Sequence, residues 1–300
     1  MDYQYNYQRY LASKKQIDDL ALNKRVLDTL SEKLDRKGSG APIKIIEIGA
    51  GIGTMVERLL ETNTIPSAQY TAFDISRANI EEAKERLVKF AEKTNYSLEI
   101  VAPYELIMTK GSFSLKLNLI DQDAAEFIES TKGIQDTDLV IAQAVLDLLN
   151  PEKILPDVFS ILKQDGLLYS SINFDGITHF GPNIDNEFDS IIEDQYHKTM
   201  MDSRTGRHLL SLLVESTWEI LAAGSSDWII YPPSDGYDGD TSYFLHYIIN
   251  TVYEALSNNS NINQVRLESW INKRHEQVEN NILQYIAHQF DYLATRGPNS

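Results

Sequence analysis

The spacing of apolar positions changes several times along the chain, and each change predicts an element. Between residues 8 and 36, Leu20, Leu22, Val26, Leu27, Leu30 and Leu34 recur at helical spacing. "RKGSGAP" then breaks the pattern. "IKIIEIG" is a short apolar run rich in β-branched residues, which predicts a buried strand. Gly53 and Thr54 open a helix over "TMVERLLET"; "AQYTAFDI" reads as a second strand, and Ser76 as the N-cap of the helix "RANIEEAKERLVKFAEK". "LEIVA" and "FSLKLNLI" read as strands with "KG" at a turn between them, followed by a short helix, "DAAEFIES", and a strand, "TDLVIAQ". "PEKILPDVFSILKQDG" has a proline near its first turn and Gly166 past its end, as a helix should, and "LLYSSINF" follows as a strand. Strands alternating with helices predict a mostly parallel sheet with helices on both faces.

After Phe174 the pattern changes. Residues 175–202 hold seven acidic groups and one lysine, with a helix expected within 185–201. "GRHLLSLLVEST" reads as a helix and "WEILAAGSSDWIIYP" as two strands around a Gly-Ser turn. From about 237 the chain reads as helical, over 240–257 and then 262–295 with breaks, and "SNNSN" at 257–261 reads as an exposed loop. Trp270, Val278, Ile282, Tyr285, Ile286, Phe290 and Leu293 fit either a helix packed on the domain or a homodimer contact through the C-terminal helices.

Length and charge narrow this picture. Three hundred residues fit one α/β catalytic domain with attached helical segments. A net charge of −17 repels phosphate backbones and anionic membrane surfaces, so neither nucleic acid nor membrane is an expected partner. The absence of cysteine excludes disulfides, zinc–thiolate sites and a cysteine nucleophile. The polar, aromatic start has no apolar core of a signal peptide, and no apolar run reaches the roughly 18–20 residues of a membrane span; a soluble cytoplasmic protein is expected.

The chemistry begins at "EIGAGIGT", Glu47 to Thr54. A strand that ends in glycines and runs into a helix turns backbone N–H groups toward a ligand. Gly49, Gly51 and Gly53 fall as G-x-G-x-G, whereas a dinucleotide fingerprint places its third glycine three residues after the second. No Gly-Lys-Ser/Thr follows, which excludes a P-loop. Glu47, two places before the first glycine, suits a ligand with an ammonium group better than a pyrophosphate.

On these residues the sequence resembles the class I S-adenosylmethionine-dependent methyltransferases over roughly residues 40–232, with E-x-G-x-G-x-G as their first motif. The resemblance implies a Rossmann-like, mostly parallel seven-stranded sheet of order 3-2-1-4-5-7-6. S-adenosylmethionine would be the cofactor and S-adenosylhomocysteine its product. Glu47, Gly49, Ala50, Gly51 and Gly53 would bind the donor, and Asp74, 21 positions after Gly53 and followed by Ile75, would take both ribose hydroxyls. In "IDQDAAEF", Asp123 would take the adenine amino group and the Ala124 N–H a ring nitrogen. Gln143, in Ala142–Gln143–Ala144, would lie beside the methionine part. The expected layout is an N-terminal helical lid (1–40), a donor-binding catalytic domain (41–235) with a cap insertion over 175–205, and a C-terminal helical extension (236–300).

Methyl transfer is an in-line displacement, and a hydroxyl acceptor needs a base near the transition state. His179, in "NFDGITHFGP" past the fifth strand, is the first candidate, with Asp175 in the same loop as part of a pocket wall. His197 lies on a predicted helix, with Tyr196 beside it as a further group near the sulfur, and Asp147 follows the fourth strand as a candidate amine contact. His208 is a weaker helical candidate; His246, His275 and His288 read as packing residues. Tyr3, Tyr5, Tyr7 and Tyr10 read either as a lid over the cationic donor or as a half-buried helix face. Related metal-dependent O-methyltransferases carry carboxylates where this chain has Ala142–Gln143–Ala144, so no catalytic metal is expected. The predicted function is methyl transfer to an N or O atom of a small molecule. The alternatives are an aminopropyltransferase-like enzyme, which would need an acid where "AQA" stands, and a catalytically silent interaction protein. A dinucleotide dehydrogenase ranks last.

Overall fold

The computed structural model describes residues 5–37 and 41–297. The helix expected over 8–36 is two helices, α1 (Tyr7–Ala21) and α2 (Lys24–Lys37). Asn23 separates them: its side chain accepts from the Val26 N–H and caps α2, while its own N–H donates to Asp291. Then come β1 (Ile43–Ile48), α3 (Thr54–Glu61), β2 (Ala68–Asp74) and α4 (Arg77–Lys93), the last capped by Ser76. The next stretch is a meander of β3 (Ser97–Ala102), β4 (Glu105–Lys110) and β5 (Phe113–Asp121). Next are α5 (Ala124–Ser130), β6 (Thr137–Gln143), α6 (Pro151–Ile161) and a long strand, β7 (Leu162–Gly181). The remainder is α7 (Asn186–His197), α8 (Thr205–Glu215), β8 (Trp218–Ser225), β9 (Trp228–Ile230), α9 (Gly239–Leu256), α10 (Gln264–Glu279) and β10 (Gln284–Arg296).

The sheet has ten strands, not seven, in the order β3-β4-β5-β2-β1-β6-β7-β10-β8, with β9 pairing β10. The β5-β2-β1-β6-β7 segment is parallel. β10 runs antiparallel between β7 and β8, and the path from β5 to β8 follows the expected order of seven. The hairpin of β3 and β4 extends one edge.

Strand alternation divides the core. Ile43 and Ile45 face the layer of α2, α3 and α4, which buries Val26, Leu30, Leu34, Met55, Leu59 and Leu87; Ile46 and Ile48 face α5, α6 and α8. Each such side chain contributes roughly 1.5–3 kcal/mol by leaving water.

The helical tail needs correction: α10 ends at Glu279, and 284–296 is β10. Tyr285, Ala287 and Gln289 are buried between less buried neighbours, a period of two that a β-strand produces and a helix does not. The expected loop around Asp175 is also strand, because β7 continues ten residues past its pairing with the end of β6 and is held there by β10. This overhang, β9, α1, α7, α9 and α10 share a third core, with Ile172, Phe180, Phe244, Trp270 and Tyr285 buried in it. Trp270, Val278, Tyr285 and Leu293 are thus covered by the chain itself. Among the described residues no helix is long and apolar enough to cross a membrane.

Candidate active site

β1 ends at Ile48, α3 starts at Thr54, and the turn between them carries Gly49, Gly51 and Gly53, all at positive φ. Gly49 (φ +67°) lies so close to the segment after β6 that a Cβ there would stand 2.6 Å from Val145 Cγ2. The loop is tied to the second strand: Ala50 N–H donates to the Phe73 carbonyl at 2.8 Å, and Gly51 N–H to Asp74 Oδ2 at 2.8 Å. Asp74 Oδ1 accepts from Ser76 N–H (2.8 Å) and Asn79 Nδ2 (3.1 Å). Oδ2 keeps a lone pair for another donor, since each carboxylate oxygen can accept twice. Ile75, next to it, is 80% exposed, an apolar face at the end of the strand.

One strand over, Asp123 caps α5 through the Ala125 N–H at 2.8 Å. Ala124 opens that helix, where a first N–H has no intrahelical acceptor. The glycine loop, Asp74–Ile75 and Asp123–Ala124 thus stand in a row at the carboxyl edge of adjacent parallel strands, β1, β2 and β5. In open α/β sheets ligands bind at this edge.

Glu47 and Gln143 are placed differently from the expectation of direct donor contacts. Glu47 is 2% exposed and accepts from the Tyr70 hydroxyl at 2.8 Å. Gln143 has both ends of its amide engaged: Oε1 accepts from Arg58 Nη1 at 2.9 Å and Nε2 donates to Asp18 at 3.0 Å. Asp18 also accepts from Lys14 Nζ (2.5 Å) and Trp228 Nε1 (3.0 Å), and Arg58 Nε donates to Asp19. This buried network fastens α1 to α3, β6 and β9. α1 lies over the loop, with Leu11 Cδ1 3.4 Å from where a Cβ on Gly51 would be and Gln8 donating to Asn79 Oδ1 at 2.8 Å. Gln8, Asp18, Arg58 and Asn79 escape sequence reading, because each looks like an ordinary polar position on a helix.

Burial pushes the Glu47 carboxyl up from 4.5 to about 7, against the pull of the Tyr70 hydroxyl and the Arg58 charge. Between those values the native group holds a proton that the unfolded chain has released. Stability therefore falls as pH rises through that window, by roughly 3 kcal/mol in all. Urea unfolding of Glu47→Gln is expected to lack this decline. A variant that declines as steeply as the parent between about pH 5 and 7 would contradict the assignment.

The candidate bases separate. His179 lines a cavity of about 80 Å³ between β7, α7, α9 and α10, together with Glu193, Tyr196 and Arg274. His197 bonds Thr178 Oγ1 at 3.0 Å, meets the Phe174 ring edge-on, and is held below its ordinary pKa by burial. His179 stands on the overhang of β7 and His197 at the end of α7. Asp147 instead follows the β6 segment that abuts Gly49. Its Oδ1 is buried with no hydrogen-bond partner, and burial pushes the carboxyl up, opposed by nearby backbone N–H groups and Lys14. Tyr7 and Tyr196 lie within electrostatic reach of it.

Asp175 is no pocket wall: it is buried on β7 and grips Arg207, the two-pronged contact measuring 2.8 to 3.0 Å. His208 pairs with Asp202, His288 with Asp227, and His246 with His275 and Glu279. Of the tyrosines proposed as a lid, Tyr3 lies outside the described residues. Tyr5 meets Tyr243 and Tyr247 edge-on, Tyr10 stacks on Tyr247 at 4.0 Å, and Tyr7 lies within electrostatic reach of Asp74 and Asp147. Among the described residues no group of three or more His, Cys, Asp or Glu side chains could hold a metal ion.

A mostly parallel sheet carrying a glycine loop and two acids along its carboxyl edge defines a Rossmann-like fold. Residues 46–168 match a family model described as a methyltransferase domain. Among solved structures, the fold is similar to a putative type II methyltransferase from Anaeromyxobacter dehalogenans, at 12% identity and TM-score 0.52, covering 93% of this chain and 98% of that one. A putative methyltransferase from Bacillus halodurans C-125 matches at 11% identity and TM-score 0.48, covering 89% and 98%. Geranyl diphosphate C-methyltransferase from Streptomyces coelicolor A3(2) matches at 11% and 0.42, covering 90% and 77%. No curated protein sequence matches the chain.

Proposed function

We propose that the protein transfers a methyl group from S-adenosylmethionine to an N or O atom of a small-molecule acceptor in the cytoplasm. The observation that carries this reading is the Gly51–Asp74 hydrogen bond, which fixes the glycine loop against a carboxylate suited to a ribose. The residues present fit the donor. Gly49, Ala50, Gly51 and Gly53 offer backbone to its methionine part, and Asp74 has lone pairs left for the ribose hydroxyls. The exposed Ile75 offers an apolar face to the adenine, and Asp123 and Ala124 an acceptor and a donor to its edge. Glu47 and Gln143 act from beneath, as supports of the loop and of the β6 end. When bound, the donor supplies a methyl group on a cationic sulfur. The chain's part is to hold an acceptor atom in line with that bond, and such positioning supplies much of the rate. α1, Asp147 and the tyrosines around it form the acceptor side, and the tail and the overhang of β7 support them as one cap.

Two measurements test this. Incubation with methyl-labelled donor and a panel of small amines, phenols and carboxylates is expected to give labelled product and S-adenosylhomocysteine. Asp74→Ala is expected to weaken binding of the demethylated donor by about 10- to 100-fold, the loss of one to two charge-assisted hydrogen bonds. Unchanged affinity in that variant would overturn the ribose assignment.

A further inference from the structure

We infer that the acceptor is an amine, and that Asp147 binds its nitrogen. The inference rests on the methyl-transfer reading above and names the substrate class of that site.

The backbone N–H groups of Asp147 and Leu148 serve the Asp147 carboxylate only in part. Its Oδ1 is buried without a hydrogen bond, a costly state for an acid placed away from water. The titratable and charged groups that act on it come from three elements. Tyr7 stands on α1, Tyr196 on α7, Lys14 on α1 one turn from Asp18, and Asp202 in the turn before α8. Lys14 is the cation in reach, and its Nζ is already 2.5 Å from Asp18 and over the Trp228 ring. Asp202 is a second acid, engaged by His208 at the protein surface. A carboxylate oxygen left unpaired, within electrostatic reach of two tyrosines, is a surrounding that attracts an ammonium. A neutral hydroxyl acceptor would gain much less from it.

The location fits as well. Val145, two residues before Asp147, touches Gly49 of the glycine loop, so the acid stands beside the donor's methionine end. Tyr196, within electrostatic reach of Asp147, also lines the 80 Å³ cavity with His179 and Glu193, which offers space beyond the nitrogen. In the reaction, Asp147 takes one N–H proton from the bound ammonium. The freed lone pair forms the new N–C bond to the methyl carbon, and the C–S bond breaks with its electron pair going to sulfur. The products are a methylated ammonium and a neutral thioether, and the protonated Asp147 returns its proton to water.

The probes are 2-phenylethylamine and 2-phenylethanol, alike in shape and different in charge, titrated calorimetrically into the full chain saturated with S-adenosylhomocysteine. The parent protein is expected to bind the amine at least about tenfold more tightly than the alcohol. Asp147→Asn, nearly isosteric, is expected to abolish that margin, and Tyr196→Leu, which keeps the carboxylate, to reduce it by about threefold or more. Equal affinity for the two probes, no binding of either, or a margin that survives Asp147→Asn would overturn the inference. If S-adenosylhomocysteine binds and the amine preference is missing, the acceptor class is wrong and the methyl-transfer reading stands. If S-adenosylhomocysteine does not bind the parent, that reading itself fails.

Discussion

Asp18→Ala is expected to cost about 3–5 kcal/mol of folding stability and to weaken donor binding with it. The aspartate is 2% exposed and accepts from Lys14, Gln143 and Trp228, at 2.5, 3.0 and 3.0 Å. Truncation strands a buried ammonium, an amide N–H and an indole N–H at once, and each unpaired group carries its own desolvation cost. The loss is not confined to stability. The carboxylate is the joint at which α1 meets the end of β6 and β9, and α1 carries Leu11 over Gly51 and Gln8 to Asn79 beneath Asp74. Urea unfolding should move to a lower midpoint at unchanged slope, since the surface exposed on unfolding is nearly the same. Asp18→Asn, which keeps an acceptor for the indole or the amide but not the charge for Lys14, should fall between. A midpoint for Asp18→Ala within the error of the parent would show that α1 is not held by this network.

Gly49→Ala is expected to destabilise the fold by roughly 2–5 kcal/mol and to lower donor affinity by about tenfold or more. Two separate causes add. The backbone sits at φ +67°, where a Cβ costs about 1–2 kcal/mol, and that Cβ would overlap Val145 Cγ2 at 2.6 Å. Relief of the overlap requires the loop and the Ala144–Asp147 segment to move apart, the two pieces between which donor and acceptor must align. The double variant with Val145→Ala separates the causes. It should recover most of the steric part, about 1–3 kcal/mol, because only the Cβ of residue 145, at 3.0 Å, still crowds the new methyl, and leave the backbone part in place. A single variant as stable as the parent would contradict both.

The glycine loop and its acids were legible in sequence because their meaning is local. A glycine triplet between an apolar run and a helix, and an acid at each of two strand ends, can be read within a few residues. The β/α alternation was legible for the same reason. What was missed depends on distant partners. Asp175 looks like a loop acid until Arg207 grips it from 32 positions away. Asp18 and Arg58 look like solvated helix positions, and only the packing of α1 on α3 buries them. Residues 284–296 read as helix because Tyr285, Ile286, Phe290 and Leu293 also fit a helical stripe; pairing with β7, β8 and β9 on both sides decides for strand. Glu47 reads in the sequence as a ligand for an ammonium, and its Tyr70 partner, 23 residues on, holds it in the interior instead.

The central claim, that the glycine loop with Asp74 and Asp123 receives an amino-acid nucleoside and not a dinucleotide, is tested most directly by one calorimetric experiment. S-adenosylhomocysteine and NAD are titrated in turn into the same protein. The account predicts saturable one-to-one binding of S-adenosylhomocysteine, lost in Asp74→Ala, and no heat from NAD. Binding of NAD, or silence toward S-adenosylhomocysteine, would contradict it.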